Sequence, residues 1–161
     1  MERQPNDGLI RHEEPVQPAW IDYNGHMNVA YYVLAFDHAT DAALDAMGLG
    51  AAYADRSGMS IFVADMHVAF RQEVHAGDML RFESRLIGLD DRRLHLFHTI
   101  FGGKSSGPVA TNEIMCVHVD LESRRPIALP PDRKDAVEAL WRAQKGLEMP
   151  QGVGRVIKSL R

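Results

Sequence analysis

One stretch of this chain, residues 29–47, repeats apolar side chains at helical spacing and is apolar around most of its circumference. Asn28 is a good N-cap before it and Gly48 is a natural C-cap after it, which predicts one long, clearly bounded helix. Because so wide an apolar stripe must be covered by other elements, the helix is predicted to be central and buried on most sides. The side chains on the stripe are Val29, Tyr32, Val33, Phe36, Ala39, Thr40, Ala43, Leu44 and Met47.

The rest of the chain has the pattern of a sheet that covers this helix. Residues 13–21 are predicted to be extended, because Pro15 and Pro18 exclude a helix interior. After a loop at 50–58 the hydrophobic period becomes two, which is typical of strands. A second helix is predicted at about 132–145. The strands are predicted over residues 62–71, 80–86, 94–101 and 110–121, with turns at Gly77-Asp78, Asp90-Asp91 and Gly102-Gly103.

This order of elements predicts an α+β fold, in which an antiparallel five-stranded sheet wraps around one long central helix, with an extra C-terminal helix. We interpret the 161 residues as one domain, 1–161, with a flexible lead-in at 1–11 and a basic tail at 146–161. Since one sheet covers only one side of the helix, we expect a homodimer or a higher homo-oligomer. The cations of the tail are Arg155, Lys158 and Arg161.

The composition limits the classes of function. A formal net charge of -4 argues against a nucleic-acid partner, because such proteins usually carry a basic excess. The single cysteine, Cys116, permits no internal disulfide. No apolar run approaches the ~20 residues of a membrane helix, and residues 1–14 lack the apolar core of a signal peptide. We therefore expect no membrane partner and, by default, a cytoplasmic protein.

The segment from Asp22 to the start of the helix has the pattern of a reaction site. Asn24-Gly25 is a strong turn signal, and the turn leads directly into the helix N-terminus, whose free N–H groups carry partial positive charge. Those donors can hold a carbonyl oxygen that gains negative charge, while Asp22 attacks the carbonyl carbon or activates a water. The sequence has no compact His/Cys cluster, no P-loop and no G-x-S-x-G motif, so we expect neither a metal nor a cofactor.

The run from Asp22 to Tyr32 resembles the active-site segment of the hotdog thioesterases of the 4-hydroxybenzoyl-CoA thioesterase type. That pattern has an Asp, a Gly-His-hydrophobic-Asn turn, and a Tyr ten residues after the Asp, which match Asp22, Gly25 to Asn28, and Tyr32. The resemblance covers most of residues 13–122. It implies an acyl-CoA thioesterase in which Asp22 is the nucleophile or general base and the N–H of about Val29 polarises the thioester.

A narrower resemblance concerns the acyl group. The stretches Trp20 to Met27 and Arg93 to His98, with the basic end of the chain, are similar to the thioesterases linked to L-carnitine dehydrogenase, which act on betainyl-CoA. That substrate carries a trimethylammonium group, which aromatic faces and a carboxylate would hold. Under this resemblance the aromatic candidates are Trp20, Tyr23 and Tyr32. Separately, Glu73 is a polar residue at a dimer edge or, since this part of the sheet lies near the dimeric active site in the family, a residue that contacts the substrate.

Each candidate residue also has a plain structural interpretation. Asp22 can be a turn residue, and Asn28 an N-cap that fixes the oxyanion donors. His26 is first a support for the loop, with substrate contact or a general-base role as alternatives. Tyr32 lies on the apolar stripe, so core packing is as plausible as ligand contact. Since some hotdog enzymes place the catalytic carboxylate on the central helix, Asp37 and Asp41 are reserve candidates.

Two other functions remain open from the sequence. A hotdog hydratase or dehydratase would pair a histidine with a carboxylate, such as His26 with Asp22 or His38 with Asp41. A non-catalytic acyl-CoA-binding module could use the same scaffold, because a fold does not determine a function. The arrangement of Asp22 before Gly-His-x-Asn favours the thioesterase over both.

Overall fold

The computed structural model describes residues 7–157, 159 and 160. Lys158 and Arg161 of the predicted tail, and residues 1–6 of the predicted lead-in, lie outside the described residues. In chain order the elements are β1 (Ile10–Pro15), a 3-10 turn (Pro18–Trp20), α1 (Val29–Ala46), α2 (Ala51–Ser57), β2 (Met59–Phe70), β3 (Met79–Leu89), β4 (Arg93–Phe101), β5 (Pro108–Asp120), β6 (Arg125–Pro126) and α3 (Pro131–Gln144).

Five long strands form one antiparallel sheet in the order β1-β3-β4-β5-β2, and the short β6 pairs with β5. The register places Leu96 of β4 opposite Leu86 of β3 and Ile114 of β5, so side chains of one face meet across the strands. The sheet curls around α1, with α3 packed against β3. The predicted architecture is therefore confirmed, and the edge strands are β1 and β2.

The core lies between the sheet and one face of α1. Phe36 of α1 is fully buried and meets the ring of Phe82 edge-to-face, with the ring centroids 6.2 Å apart. The opposite face of α1 is not covered within one chain, since Val29 is 55% and Leu34 39% exposed. A single chain therefore leaves one stripe of this helix uncovered.

The described parts of the two terminal segments contain more regular structure and contacts than the sequence predicts. The first strand begins at Ile10, inside the predicted lead-in, because Ile10 pairs with Ser84 of β3. The predicted extended segment at 13–21 is divided between β1 and the 3-10 turn. At the other end, part of the predicted basic tail lies on the outer face of the sheet. There Arg85 Nη2 donates to Leu147 O at 2.8 Å, and Gly154 N donates to Glu113 Oε2 at 2.7 Å.

The structure also corrects the loop predicted at 50–58, which contains the helix α2. A seven-residue helix has little stability of its own, so tertiary contacts must hold it. Tyr53 supplies the main contact, because its ring is buried and its hydroxyl lies 2.8 Å from Nε2 of His118. Gly58 then ends the helix in the left-handed region, at φ 67°.

Two titratable side chains lie deep in the core. Burial raises the pKa of the Cys116 thiol to about 12. His98 of β4 is fully buried, with Nδ1 2.7 Å from Ser84 Oγ and Nε2 3.2 Å from Thr40 Oγ1. These contacts join α1 to two strands of the sheet. In the part of the chain that the structure describes, no helix is long and apolar enough to cross a membrane.

Acid is expected to destabilise the fold through His98. Burial lowers its pKa from 6.5 to about 4, so the unfolded chain takes up this proton first as the pH falls. Neutral His98 contributes fully to the free energy of unfolding above pH 6.5. This contribution decreases as the pH falls, and at pH 4 it is smaller by about 3 kcal/mol. Urea unfolding at pH 7 and pH 4.5 should show a smaller pH effect in His98→Gln than in the wild type. An equal effect would contradict this account.

Candidate active site

The loop that contains Asp22 is folded by its own backbone. Asp22 N donates to His26 O at 3.2 Å, and Gly25 N donates to Asp22 O at 3.0 Å. Gly25 has a φ of 83°, which a residue with a side chain rarely adopts. Ile21 and Met27 form an isolated antiparallel bridge at the base of the loop. The turn predicted from Asn24-Gly25 is therefore present.

Two further backbone bonds fix this loop to its surroundings. Met27 N donates to Val74 O and Asn28 N to Trp20 O, each at 2.9 Å. Met27 is 1% exposed, so its side chain anchors the loop in the core. The position of the helix N-terminus relative to Asp22 is thus set by a rigid frame.

Asn28 connects the carboxylate to the helix. Its Oδ1 accepts a hydrogen bond from Ala30 N at 3.0 Å, which makes Asn28 the N-cap of α1, as the sequence predicts. Its Nδ2 donates to Asp22 Oδ2, also at 3.0 Å. One amide group therefore orients both the first turn of the helix and the candidate catalytic carboxylate.

The charged form of Asp22 is favoured. The Asn24 N–H donates to Asp22 Oδ1 at 2.8 Å, and this bond, followed by that from Asn28, holds the pKa of the carboxyl below its usual value. Asp22 is consequently an anion at neutral pH. An anion is the form that a nucleophile or a general base requires.

The backbone N–H of Val29 is the donor that remains available at the helix N-terminus. Asn28 Oδ1 accepts from Ala30 N, and Asn28 O accepts from Tyr31 N at 3.0 Å. None of the described residues accepts a hydrogen bond from Val29 N. A free N–H at the positive end of a helix is suited to an oxygen that gains negative charge.

Val29 lies on the wall of a cleft of about 320 Å³, between the start of α1 and the segment after β2. His26 and Glu73 lie on this cleft, with Nε2 of His26 4.0 Å from Oε2 of Glu73. Tyr32 also lines it, and its hydroxyl donates to Gln72 O at 3.2 Å. Tyr32 is therefore both a core residue and a cleft residue.

The structure does not bring the three predicted aromatic side chains together. The ring of Trp20 is buried and stacks on Tyr31, with the centroids 5.6 Å apart and the planes 13° from parallel. Tyr23 is 97% exposed, on the loop. Of the three, only Tyr32 lines the cleft.

Sequence reasoning missed several residues of the cleft. Phe70, Arg71 and Gln72 line it from the end of β2. In the sequence, these residues lie where the apolar alternation of a strand ends and a polar segment begins. That pattern does not show which helix the segment faces.

Among the described residues, neither alternative histidine–carboxylate pair, His26 with Asp22 or His38 with Asp41, forms an ion pair. Nδ1 of His38 lies 2.9 Å from Glu14 Oε2, so this histidine is engaged by β1 rather than by Asp41. Burial, followed by the nearby Asp37, raises the pKa of Asp41. Nδ1 of His26 lies 3.4 Å from Met27 O. Among the residues with described positions, no group of three or more His, Cys, Asp or Glu side chains could hold a metal ion.

A family profile described as the thioesterase-like superfamily matches residues 16–137. This chain belongs to the thioesterase-like superfamily. The chain is 40% identical over 149 residues to the betainyl-CoA thioesterase of Pseudomonas aeruginosa, covering 92% of this chain and 94% of that protein. The predicted family and enzyme class are thereby confirmed: this protein is a thioesterase.

Other members of the family support the same assignment. The chain is 39% identical over 153 residues to the L-carnitine dehydrogenase/betainyl-CoA thioesterase of Agrobacterium fabrum, covering 95% of this thioesterase but only 31% of that longer protein. A putative thioesterase of Pseudomonas putida superposes with a TM-score of 0.81 at 31% identity, over 95% of this chain and 97% of that chain.

A hypothetical protein of Staphylococcus aureus, solved in complex with CoA, has the same fold. It superposes with a TM-score of 0.86 over 99% of this thioesterase and 98% of that chain, at 24% identity. The predicted hotdog fold is confirmed by these neighbours.

Proposed function

We propose that this thioesterase hydrolyses betainyl-CoA to betaine and free CoA. The observation that carries the proposal is the 40% identity to the P. aeruginosa betainyl-CoA thioesterase, which extends over 92% of the chain. The geometry of Asp22 and Val29 supports it, because a thioesterase needs an activated oxygen and a donor for the carbonyl. We also propose a cytoplasmic location, which a CoA-ester substrate supports.

The proposed reaction is attack on a polarised thioester. Val29 N–H donates to the carbonyl oxygen, and the positive end of α1 stabilises the charge that develops there. Either Asp22 attacks the carbonyl carbon, which expels the CoA thiolate and leaves an acyl–Asp22 anhydride that water then hydrolyses, or Asp22 takes a proton from a water that attacks the carbonyl carbon directly. The thiolate of CoA leaves and is protonated, and the acyl group departs as a carboxylate. The residues named supply each role without a metal or cofactor.

The other members of the site support these two groups. Asn28 holds the carboxylate of Asp22 through Nδ2 and organises the helix N-terminus through Oδ1. His26 belongs to the same loop and lies on the cleft beside Glu73, so we assign it first to support of the loop and then to substrate contact.

A second copy of the chain is expected to cover the edge strand β2. An edge strand offers unpaired backbone groups, and proteins usually protect it with charge or cover it. Away from the cleft, the exposed large hydrophobic side chains of this edge are Phe62, Val63 and Met66. We propose a homodimer through this edge, next to the cleft. Sedimentation equilibrium should give twice the chain mass of 18.0 kDa, and a monomer at all concentrations would exclude it.

Hydrolysis is tested by thiol release from five esters: betainyl-, acetyl-, hexanoyl-, palmitoyl- and benzoyl-CoA. We expect betainyl-CoA to have the highest kcat/KM by about tenfold or more, because a cation held by both aromatic and carboxylate groups gains ~1–2 kcal/mol over a neutral group. Release from the other esters alone would retain the thioesterase and reject the substrate. Release from none would reject the proposed activity.

A further inference from the structure

We propose that Tyr32, Phe70 and Glu73 form a subsite for a quaternary ammonium group and determine the preference for a cationic acyl group. This inference rests on the proposed function, since it assigns the residues of the cleft that recognise the substrate. It differs from the set expected from sequence, in which Trp20 and Tyr23 supplied aromatic faces. In the structure one face of Trp20 is covered by Tyr31.

The two aromatic rings bound a corner of the cleft. The planes of Tyr32 and Phe70 are 76° apart, and the ring centroids are 5.2 Å apart. A group in this corner meets the exposed part of the Phe70 ring, while Tyr32, which is 4% exposed, closes the corner. Ring faces carry the negative part of the aromatic quadrupole, so such a corner attracts a cation. Phe70 is 48% exposed, so part of its ring is open to a ligand.

Glu73 supplies the charge. Its side chain is 61% exposed, and among the described residues its ionic partners are two histidines. Oε2 lies 4.0 Å from Nε2 of His26, and Oε1 lies 3.7 Å from Nε2 of His75. No lysine or arginine in the described part of the chain forms a salt bridge with it. A permanently charged ligand can therefore pair with this carboxylate without displacing a lysine or an arginine from it.

The positive charge of the arginine beside the cleft lies away from the proposed subsite. Arg71 lines the cleft, but its guanidinium reaches toward the outer face of the sheet. A Cβ added to Gly152, on that face, would lie 3.8 Å from Arg71 Nη2 and 4.0 Å from the ring of Phe97. The cation of Arg71 thus lies away from the corner between Tyr32 and Phe70, and Glu73 sets the charge there.

The dimensions of the acyl group agree with this position. In a betainyl thioester a single methylene separates the carbonyl carbon from the quaternary nitrogen. The ammonium must therefore lie close to the donor that holds the carbonyl oxygen. Val29 and Tyr32 are three positions apart on one helix, so they are neighbours on the same face. Both line the one cleft, together with Phe70 and Glu73.

The test compares betainyl-CoA with 3,3-dimethylbutanoyl-CoA, in which carbon replaces the nitrogen and the shape is retained. The wild type is expected to favour the cation by about tenfold or more in kcat/KM. Glu73→Gln and Phe70→Leu should each reduce that ratio about three- to thirtyfold, because KM rises more for the cationic ester than for the neutral ester. Glu122→Gln, an exposed carboxylate in the turn after β5, is the matched control and should leave the ratio unchanged.

The outcomes separate the subsite from the activity. If both esters are hydrolysed equally well by the wild type, the thioesterase stands and the subsite is rejected. If Glu73→Gln and Phe70→Leu lower turnover of both esters alike, these residues act structurally and the subsite is rejected. If neither ester is hydrolysed, the proposed function fails, and the subsite with it. Circular dichroism and Tm establish that each variant is folded.

Discussion

Replacing Asp22 by Asn is expected to lower kcat by about 10³-fold, because the variant has no anion to attack the thioester or to accept a proton from water. Asn has nearly the shape of Asp and its oxygen can still accept from the Asn24 N–H. The fold should therefore survive, with a Tm within a few degrees of the wild type. Because hydrogen bonds hold the pKa of Asp22 below its usual value, wild-type kcat should not fall through protonation of Asp22 until the pH is below the usual range of an aspartate pKa.

The matched controls are the reserve carboxylates of the central helix. Asp37→Asn and Asp41→Asn remove one charge each from exposed positions of α1 and should retain most of the activity. Thiol release measured at saturating substrate compares all three variants directly. Full activity in Asp22→Asn, or a comparable loss in Asp41→Asn alone, would reject Asp22 as the catalytic group.

The second large effect is expected from Val29→Pro, which removes one backbone N–H and little else. Proline is favoured at the first position of a helix, where its fixed φ suits the backbone. The preceding residue, Asn28, already has the extended conformation that a following proline requires, with ψ at 147°. The loss of an oxyanion donor should lower kcat about 10²- to 10³-fold with little change in KM.

Val29→Ala is the control for this variant. It shortens the side chain at the same position but retains the N–H, so its kcat should stay within about threefold of the wild type. Steady-state kinetics on both variants separates the backbone donor from the side chain. Equal activities of the proline and alanine variants would show that another group polarises the carbonyl.

The sequence predicted well those features that depend on neighbours along the chain. The predicted helix at 29–47 agrees with Val29–Ala46, because a 3.6-residue period and two capping residues are local signals. The turn at Asn24-Gly25 and the cap by Asn28 were predictable for the same reason. Asp22 and Asn28 are six residues apart, and their hydrogen bond follows from that short loop.

Features that depend on distant contacts were not predictable. Trp20, Tyr23 and Tyr32 are close in sequence, yet their side chains lie in different surroundings in the structure. The ring in contact with Tyr32 is that of Phe70. These two residues are far apart in the sequence, and nothing in the sequence pattern shows that they meet. Likewise α2 depends on the contact of Tyr53 with His118, which comes from β5. Local propensity cannot anticipate a pairing made by the completed sheet.

The burial of Cys116 has a consequence for how turnover is observed. It is the single cysteine of the chain, and a thiol with a pKa of about 12 has almost no thiolate at neutral pH. Disulfide dyes react with thiolates, so the folded enzyme should not consume them. A dye added to the reaction then reports liberated CoA alone, and a slow extra thiol equivalent marks unfolded protein.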